Sequence, residues 1–233
     1  MIEAEWWDYD SPDEMAEAVS GDVGFIVESA LDARAAALIA LPATDIAKAI
    51  FPALAAVKLE WKQVAIIPTD DRLVGVESDR SNARALAQVF LPKGARVVPI
   101  VTPLEDYRLA GNSADARLQD LPWPPDLVWL GVDADGSAAG IAAGPDLQDA
   151  LDAPKARRAV GVMPDPLPQD APVARVTLTR ASILSARTIL VTITGEDKRA
   201  LLEQAIADGQ SSKLPIGRVL AEVEQPIDIH WAP

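Results

Sequence analysis

Short apolar runs alternate with polar, helix-compatible stretches along the whole chain. Residues 36–41 (AALIAL), 64–67 (VAII), 96–101 (RVVPIV) and 127–130 (LVWL) are near-continuous runs rather than strict apolar–polar alternations. That pattern predicts strands buried on both faces, as in a parallel sheet. Residues 159–163, 175–179 and 188–194 are further β-branched or apolar runs, and 227–231 reads as a last strand. Helix signals fall between the runs. Ser11-Pro12-Asp13-Glu14 combines a capping hydroxyl, a proline at the first helical position and acids in the first turn. A second helical stretch is predicted over residues 22–34, with Phe25, Ile26, Ala30 and Leu31 on one face. Thr44 or Asp45 can cap a third helix, which carries Ile46, Ile50, Phe51 and Leu54 at helical spacing. Further helices are expected near Ser81, in the segment opened by Pro103, and over residues 196–208. Residues 68–80 read as a polar connection, and Pro122-Trp123-Pro124-Pro125 as a turn. This alternation implies an α/β, doubly wound, mostly parallel sheet with helices on both faces. A single domain over residues 1–233 is expected, because neither a repeat nor a break in composition divides the chain.

The run at 127–130 empties into Gly131, Asp133, Asp135 and Gly136, so it delivers carboxylates to a loop. Ligands of open α/β sheets bind beyond the carboxyl ends of strands, which makes this loop the first place to look for chemistry.

Composition narrows the classes of partner. The 233 residues are 49% hydrophobic and 24% charged, enough for a full core and unlike a disordered chain. A formal net charge of -14 argues against nucleic acid and anionic membrane, whose binding needs clustered Lys and Arg. Cysteine is absent, which removes disulfides and thiol catalysis. The opening MIEAEWWDYDSPDEM is acidic without a basic flank or apolar segment, so it is not expected to act as a signal peptide. No run approaches the ~20 apolar residues that span a bilayer, and a cytoplasmic location is expected. Oligomeric state is not legible.

Three loops carry candidate chemistry. Thr69-Asp70-Asp71-Arg72, with Asp79-Arg80-Ser81-Asn82 entering the next helix, could orient a sugar hydroxyl and bind an anion, or be solvated surface charge. Asp133-Ala134-Asp135-Gly136-Ser137 could hold a sugar, activate water, or form a plain turn. Thr194-Gly195-Glu196-Asp197-Lys198 places a lysine in a helix's first turn, where it could meet an anion or simply be exposed.

Taken in order and spacing, these loops resemble the 6-phosphogluconolactonase family, relatives of the glucosamine-6-phosphate deaminases. Asp70-Asp71-Arg72 followed by Ser81-Asn82 is similar to the family's Asp-Glu-Arg then Ser-Asn signature. Leu130-Gly131, Asp135-Gly136 and Gly144 match its Leu-Gly-x-Gly-x-Asp-Gly-His-Thr-Ala-Ser-Leu-Phe-Pro-Gly block, and the segments from Arg175 to Thr179 and from Gly195 to Lys198 resemble two more. The resemblance covers nearly the whole chain. It implies a parallel α/β sheet and hydrolysis of 6-phosphogluconolactone, in the oxidative pentose phosphate or Entner-Doudoroff route, without cofactor or metal.

Departures from the family pattern are specific. The histidine expected to activate water is Ser137 here, and serine has no basicity near neutral pH unless another base takes its proton. The one histidine, His230, lies in the last apolar segment and reads as structural. The family's Ser-Gly-Gly-Ser-Thr-Pro phosphate loop aligns with Pro42-Ala43-Thr44-Asp45, where proline lacks an N–H and aspartate repels phosphate. With the family base replaced by Ser137, the expectation is that Asp135 acts as base through water, provided that burial or the neighbouring Asp133 raises its pKa, with Arg72 and Ser137 beside it. Asp70, Asn82, Arg175, Lys198 and Thr44 would bind a sugar lactone or sugar phosphate. The expectation is a divergent sugar-lactone hydrolase, weak or altered in specificity. The alternative is a non-catalytic homologue that binds a sugar, a metabolite or a protein partner.

Overall fold

The computed structural model describes residues 2–102, 105–169 and 171–233. In chain order, the first half comprises β1 (Ala4–Asp8), α1 (Pro12–Arg34), β2 (Ala37–Leu41), α2 (Asp45–Ala56), β3 (Val64–Pro68), β4 (Asp70–Arg72), α3 (Asn82–Phe90), β5 (Arg96–Val97) and α4 (Tyr107–Leu118). The second half comprises β6 (Leu127–Gly131), α5 (Leu147–Leu151), β7 (Ala159–Val162), β8 (Arg175–Leu178), α6 (Arg180–Leu184), β9 (Thr188–Thr194), α7 (Glu196–Asp208), α8 (Pro215–Leu220) and β10 (Ile227–Ala232). Among the described residues, seven strands pair in parallel in the order β1-β10-β9-β6-β2-β3-β5. The inner strand expected at 127–130 is the middle one, between β9 and β2.

Continuous apolar runs are needed because the sheet buries both faces. Leu127 and Trp129 point into one core with Ile39, Leu41 and Leu190, under Met15, Val19 and Val23 of α1 and Phe51 of α2. Val128 and Leu130 point the opposite way, with Leu38, Ala40, Ile189 and Val191, toward α4, α7 and α8. Successive side chains of a strand alternate faces, so each run feeds two cores. Trp129 meets Phe51 edge-on at 6.1 Å, and its Nε1 donates to Thr192 Oγ1 at 2.9 Å, so the indole is satisfied where it is buried.

Several expectations change. The helix begun after Ser11 and the stretch at 22–34 are one 23-residue helix, because Val19, Val23, Val27 and Ala30 continue a single buried stripe. The acidic opening segment contains β1, an edge strand paired with β10. The run at 96–101 is a strand only at Arg96–Val97; Pro99 has no N–H to offer a ladder. Pro103 lies outside the described residues. The polar connection at 68–80 contains β4, which pairs antiparallel with β8, and β8 with β7, in a separate three-stranded sheet. The runs at 159–163 and 175–179 thus leave the parallel sheet. No helix among the described residues is long and apolar enough to cross a membrane.

Candidate active site

The carboxyl ends of β2, β3, β6 and β9 open into one cleft of about 980 Å³. Asp70, Arg72, Asn82, Asp135, Ser137, Arg175, Lys198 and Thr44 all line it, although they come from loops far apart in sequence. The small antiparallel sheet forms a wall. Its strand β4 carries Asp70 and Arg72, and its strand β8 sets Arg175 directly opposite Arg72 in register.

On that wall, Asp71 is the structural partner and Asp70 the one that faces the cleft. Asp71 is 1% exposed and accepts from the N–H groups of Arg72 (2.9 Å), Asn82 (2.6 Å) and Ala83 (3.0 Å), and from Ser81 Oγ (3.2 Å). It therefore satisfies the start of α3, whose N-cap is Ser81. Burial pushes the Asp71 pKa up, and the hydrogen bonds from Ala83 and Asn82 oppose the rise. Asp70 pairs with Arg175 Nη1 at 2.9 Å, both side chains being nearly buried. Asn82 links the corner: its Nδ2 donates to the Asp70 carbonyl at 2.7 Å, and its Oδ1 accepts from Arg72 Nη1 at 2.8 Å. These contacts tie one nitrogen of each guanidinium to the wall.

The turn after β6 supplies the carboxylates. Gly136 N–H donates to the Asp133 carbonyl at 2.9 Å, and Asp133 N–H to the Ser137 carbonyl at 2.9 Å. Gly136 sits at φ 77, where L side chains are strained, and a Cβ there would lie 2.9 Å from Leu214. Gly140, at φ 72, lets the chain pass so close to Asp70 that a Cβ would lie 2.8 Å from the aspartate's own. Within the turn, Ser137 Oγ lies 2.6 Å from Asp135 Oδ1 and 3.3 Å from Asp133 Oδ2, while Ser137 N–H donates to Asp135 Oδ1 at 2.9 Å. Asp133 is exposed in the cleft, and the cleft walls desolvate its carboxyl in part. This desolvation pushes its pKa up, Asp70 and Asp135 add to the rise, and Arg175 and Lys198 oppose it.

Two helix starts complete the rim. Thr44 is the N-cap of α2, and its Oγ1 accepts from Ala47 N–H at 3.3 Å, so the cap is supplied from within the chain. Asp45 extends fully into solvent, with Lys48 Nζ 4.0 Å away. Lys198 projects from the first turn of α7. Among the described residues, no group of three or more His, Cys, Asp or Glu side chains is placed to hold one metal ion.

Lys48 was not singled out by the sequence, and Asp133 was named only as one of the paired acids of its loop, with Asp135 taken as the base. Asp133 stands where the family block has glycine, so a match by position passes over it. Lys48 is an ordinary helical lysine until α2 is placed beside the cleft. His230 is 1% exposed and lies outside the cleft lining, stacked on Tyr9 at 5.8 Å with Nδ1 2.8 Å from the Tyr9 hydroxyl.

A family model described as glucosamine-6-phosphate isomerases/6-phosphogluconolactonase matches residues 10–231. The chain is 34% identical over 229 residues to a 6-phosphogluconolactonase of Rhizobium meliloti, covering 97% of each chain. It is 34% identical over 235 residues to one from Mesorhizobium japonicum, covering 98% of this chain and 95% of the other. Its structure is similar to the crystal structure of a 6-phosphogluconolactonase from Shewanella baltica, with a TM-score of 0.91 at 25% identity over 99% of this chain and 98% of that one.

Proposed function

The chain belongs to the glucosamine-6-phosphate isomerase/6-phosphogluconolactonase family, and from that premise we propose that it hydrolyses the ring ester of a phosphorylated sugar lactone, 6-phosphogluconolactone being the candidate. The observation that carries this reading is one cleft holding a partly desolvated carboxyl, Asp133, together with Arg72, Arg175 and Lys198. A lactone phosphate needs both: a base for water and positive charge for the phosphate and the developing oxyanion.

Asp135 is the base expected by position, but its Oδ1 already accepts two hydrogen bonds from Ser137. We assign the proton to Asp133 instead. Water attacks the carbonyl carbon as Asp133 takes its proton; the ring C–O bond then breaks, and the ring oxygen recovers that proton to give the open hydroxy acid. Ser137, without basicity of its own, keeps the two carboxyls oriented. Pro42 offers no N–H, and the Ala47 N–H is engaged by Thr44, so fewer backbone donors converge than in a glycine-rich loop and side-chain cations would carry more of the phosphate binding. Turnover below that of an imidazole-based site is expected, since general-base catalysis contributes roughly 10²- to 10⁴-fold.

The test is acid release from 6-phosphogluconolactone by purified protein, read against the spontaneous rate. Acceleration that is lost in Lys198→Ala and Arg175→Ala supports the reading. A second reading, a sugar-phosphate binder without turnover, is favoured by one observation: no histidine is among the residues that line the cleft. Binding of 6-phosphogluconate with no acceleration, and none gained by Ser137→His combined with Pro42→Gly and Asp45→Ser, would establish the binder instead.

A further inference from the structure

Lys198 reaches the cleft from the first turn of α7, and little within the helix fixes that turn. The buried side chains of α7 are Leu202 and Ala205, both further along, and its N-cap is Gly195, which has no side chain to cap with. The turn is tied from behind instead, by a cluster that the proposed reaction does not otherwise use. Arg199 lies with Cζ 5.2 Å from the ring centroid of Trp6 and 4.7 Å from that of Trp231. Its Nη1 and Nη2 donate to Asp8 at 2.8 and 3.4 Å, and its Nε to Glu203 at 3.1 Å. Trp231 Nε1 donates at 3.1 Å to the Gly195 carbonyl, which also receives the Arg199 N–H at 3.2 Å, while Gly195 N–H donates to the Ala232 carbonyl at 2.9 Å. The first turn of α7 is thereby clamped to β1 and β10.

We propose that Arg199 is a positioning residue: held against two indoles and by two carboxylates, it fixes the first turn of α7 and so aims the Lys198 ammonium into the cleft. A planar guanidinium suits this place because it can lie against both rings while its N–H groups donate to Asp8 and Glu203. An ammonium could not do both at once. The inference rests on the reading above, in which Lys198 holds the anionic end of the substrate.

A double-mutant cycle between Arg199 and Lys198 tests it. Arg199→Ala should raise KM for 6-phosphogluconolactone by about three- to tenfold with a smaller change in kcat, Arg199→Lys should recover part of the loss, and Arg199→Ala should add nothing in a Lys198→Ala background. Trp231→Phe, which keeps an aromatic ring but loses the hydrogen bond to Gly195, should shift KM the same way by less, and it preserves the test if Arg199→Ala folds poorly. An equal KM increase in both backgrounds, or a lowered Tm with KM unchanged, would overturn the proposal. If the wild type shows no turnover, the same cycle is read in the Kd of 6-phosphogluconate by calorimetry, so failure of the hydrolase reading and failure of this one are separable.

Discussion

Asp71 and Asp133 each follow the carboxyl end of a parallel strand, and desolvation is the first cause that raises each pKa, by full burial of Asp71 and by the cleft walls around the exposed Asp133. They are settled in opposite ways. Asp71 accepts three backbone N–H groups and a serine hydroxyl, so its carboxylate is built into the start of α3. Asp133 has a hydroxyl at 3.3 Å that lies closer to Asp135, and the charges of Asp70 and Asp135 bear on it as well. One aspartate holds a corner of the site together. The other, in the proposed reading, keeps a carboxyl oxygen for the ligand, an arrangement that would trade stability for function.

Substitution should separate the two. Asp71→Ala leaves several buried donors unsatisfied and should cost about 2–4 kcal/mol, lowering Tm by roughly 4–16 °C for a chain of this size. That loss would appear in thermal unfolding at neutral pH, with ligand absent; a Tm within about 2 °C of wild type would break the comparison. Asp133→Asn should act in the other direction and more weakly. A carboxyl whose folded pKa is raised disfavours folding once it ionises; at Asp71 the donors that its removal would orphan outweigh this, whereas Ser137 Oγ, the donor shared with Asp133, keeps its bond to Asp135, so the Asp133 penalty is present above the folded pKa and disappears as pH falls below the unfolded value. The variant should therefore unfold at a higher temperature than wild type near neutral pH, and the gain should vanish on acidification. A lowered Tm at neutral pH would mean that Asp133 is held by the fold after all.

The smallest effect tests a buried group away from the cleft. Burial lowers the pKa of His230 below its ordinary 6.5, with Asp22 and Asp228 opposing the shift. The folded protein then binds fewer protons than the unfolded chain below about pH 6.5, so stability is full above that value and declines as pH falls toward the folded pKa. The Tm should drop between about pH 7 and about pH 5 in wild type and drop less in His230→Phe. An identical drop in both would remove the histidine from the account.

Much of this was legible in the sequence, and what was missed has physical reasons. The runs at 188–194 and 196–208 coincide with Thr188–Thr194 and Glu196–Asp208, because a buried strand and an amphipathic helix carry their periods openly. Thr44 was readable as a cap because capping is local. β4 was hidden because Asp70-Asp71-Arg72 is polar and pairs across more than a hundred residues with β8. Apolar runs report burial, not the sheet that buries them, so β7 and β8 could not be separated from the parallel strands. The site loops were picked out by their charged residues at strand ends and helix starts and joined by family spacing, and the cleft does gather them. Asp133 could not be told from Asp135 by spacing, since its environment depends on Asp70, Arg175 and Lys198, which only the fold brings near.

The central claim is that Asp133 holds the proton during ring opening, and the pH dependence of that reaction tests it most directly. The enzymatic rate on 6-phosphogluconolactone, corrected for spontaneous hydrolysis, should fall on the acid side with an apparent pKa above the ordinary aspartate value of 3.8, because the base must be ionised to accept a proton. Asp133→Asn should lose roughly 10²- to 10⁴-fold in rate and lose that acid limb with it. Wild-type turnover and an unchanged acid limb in Asp133→Asn would contradict the assignment.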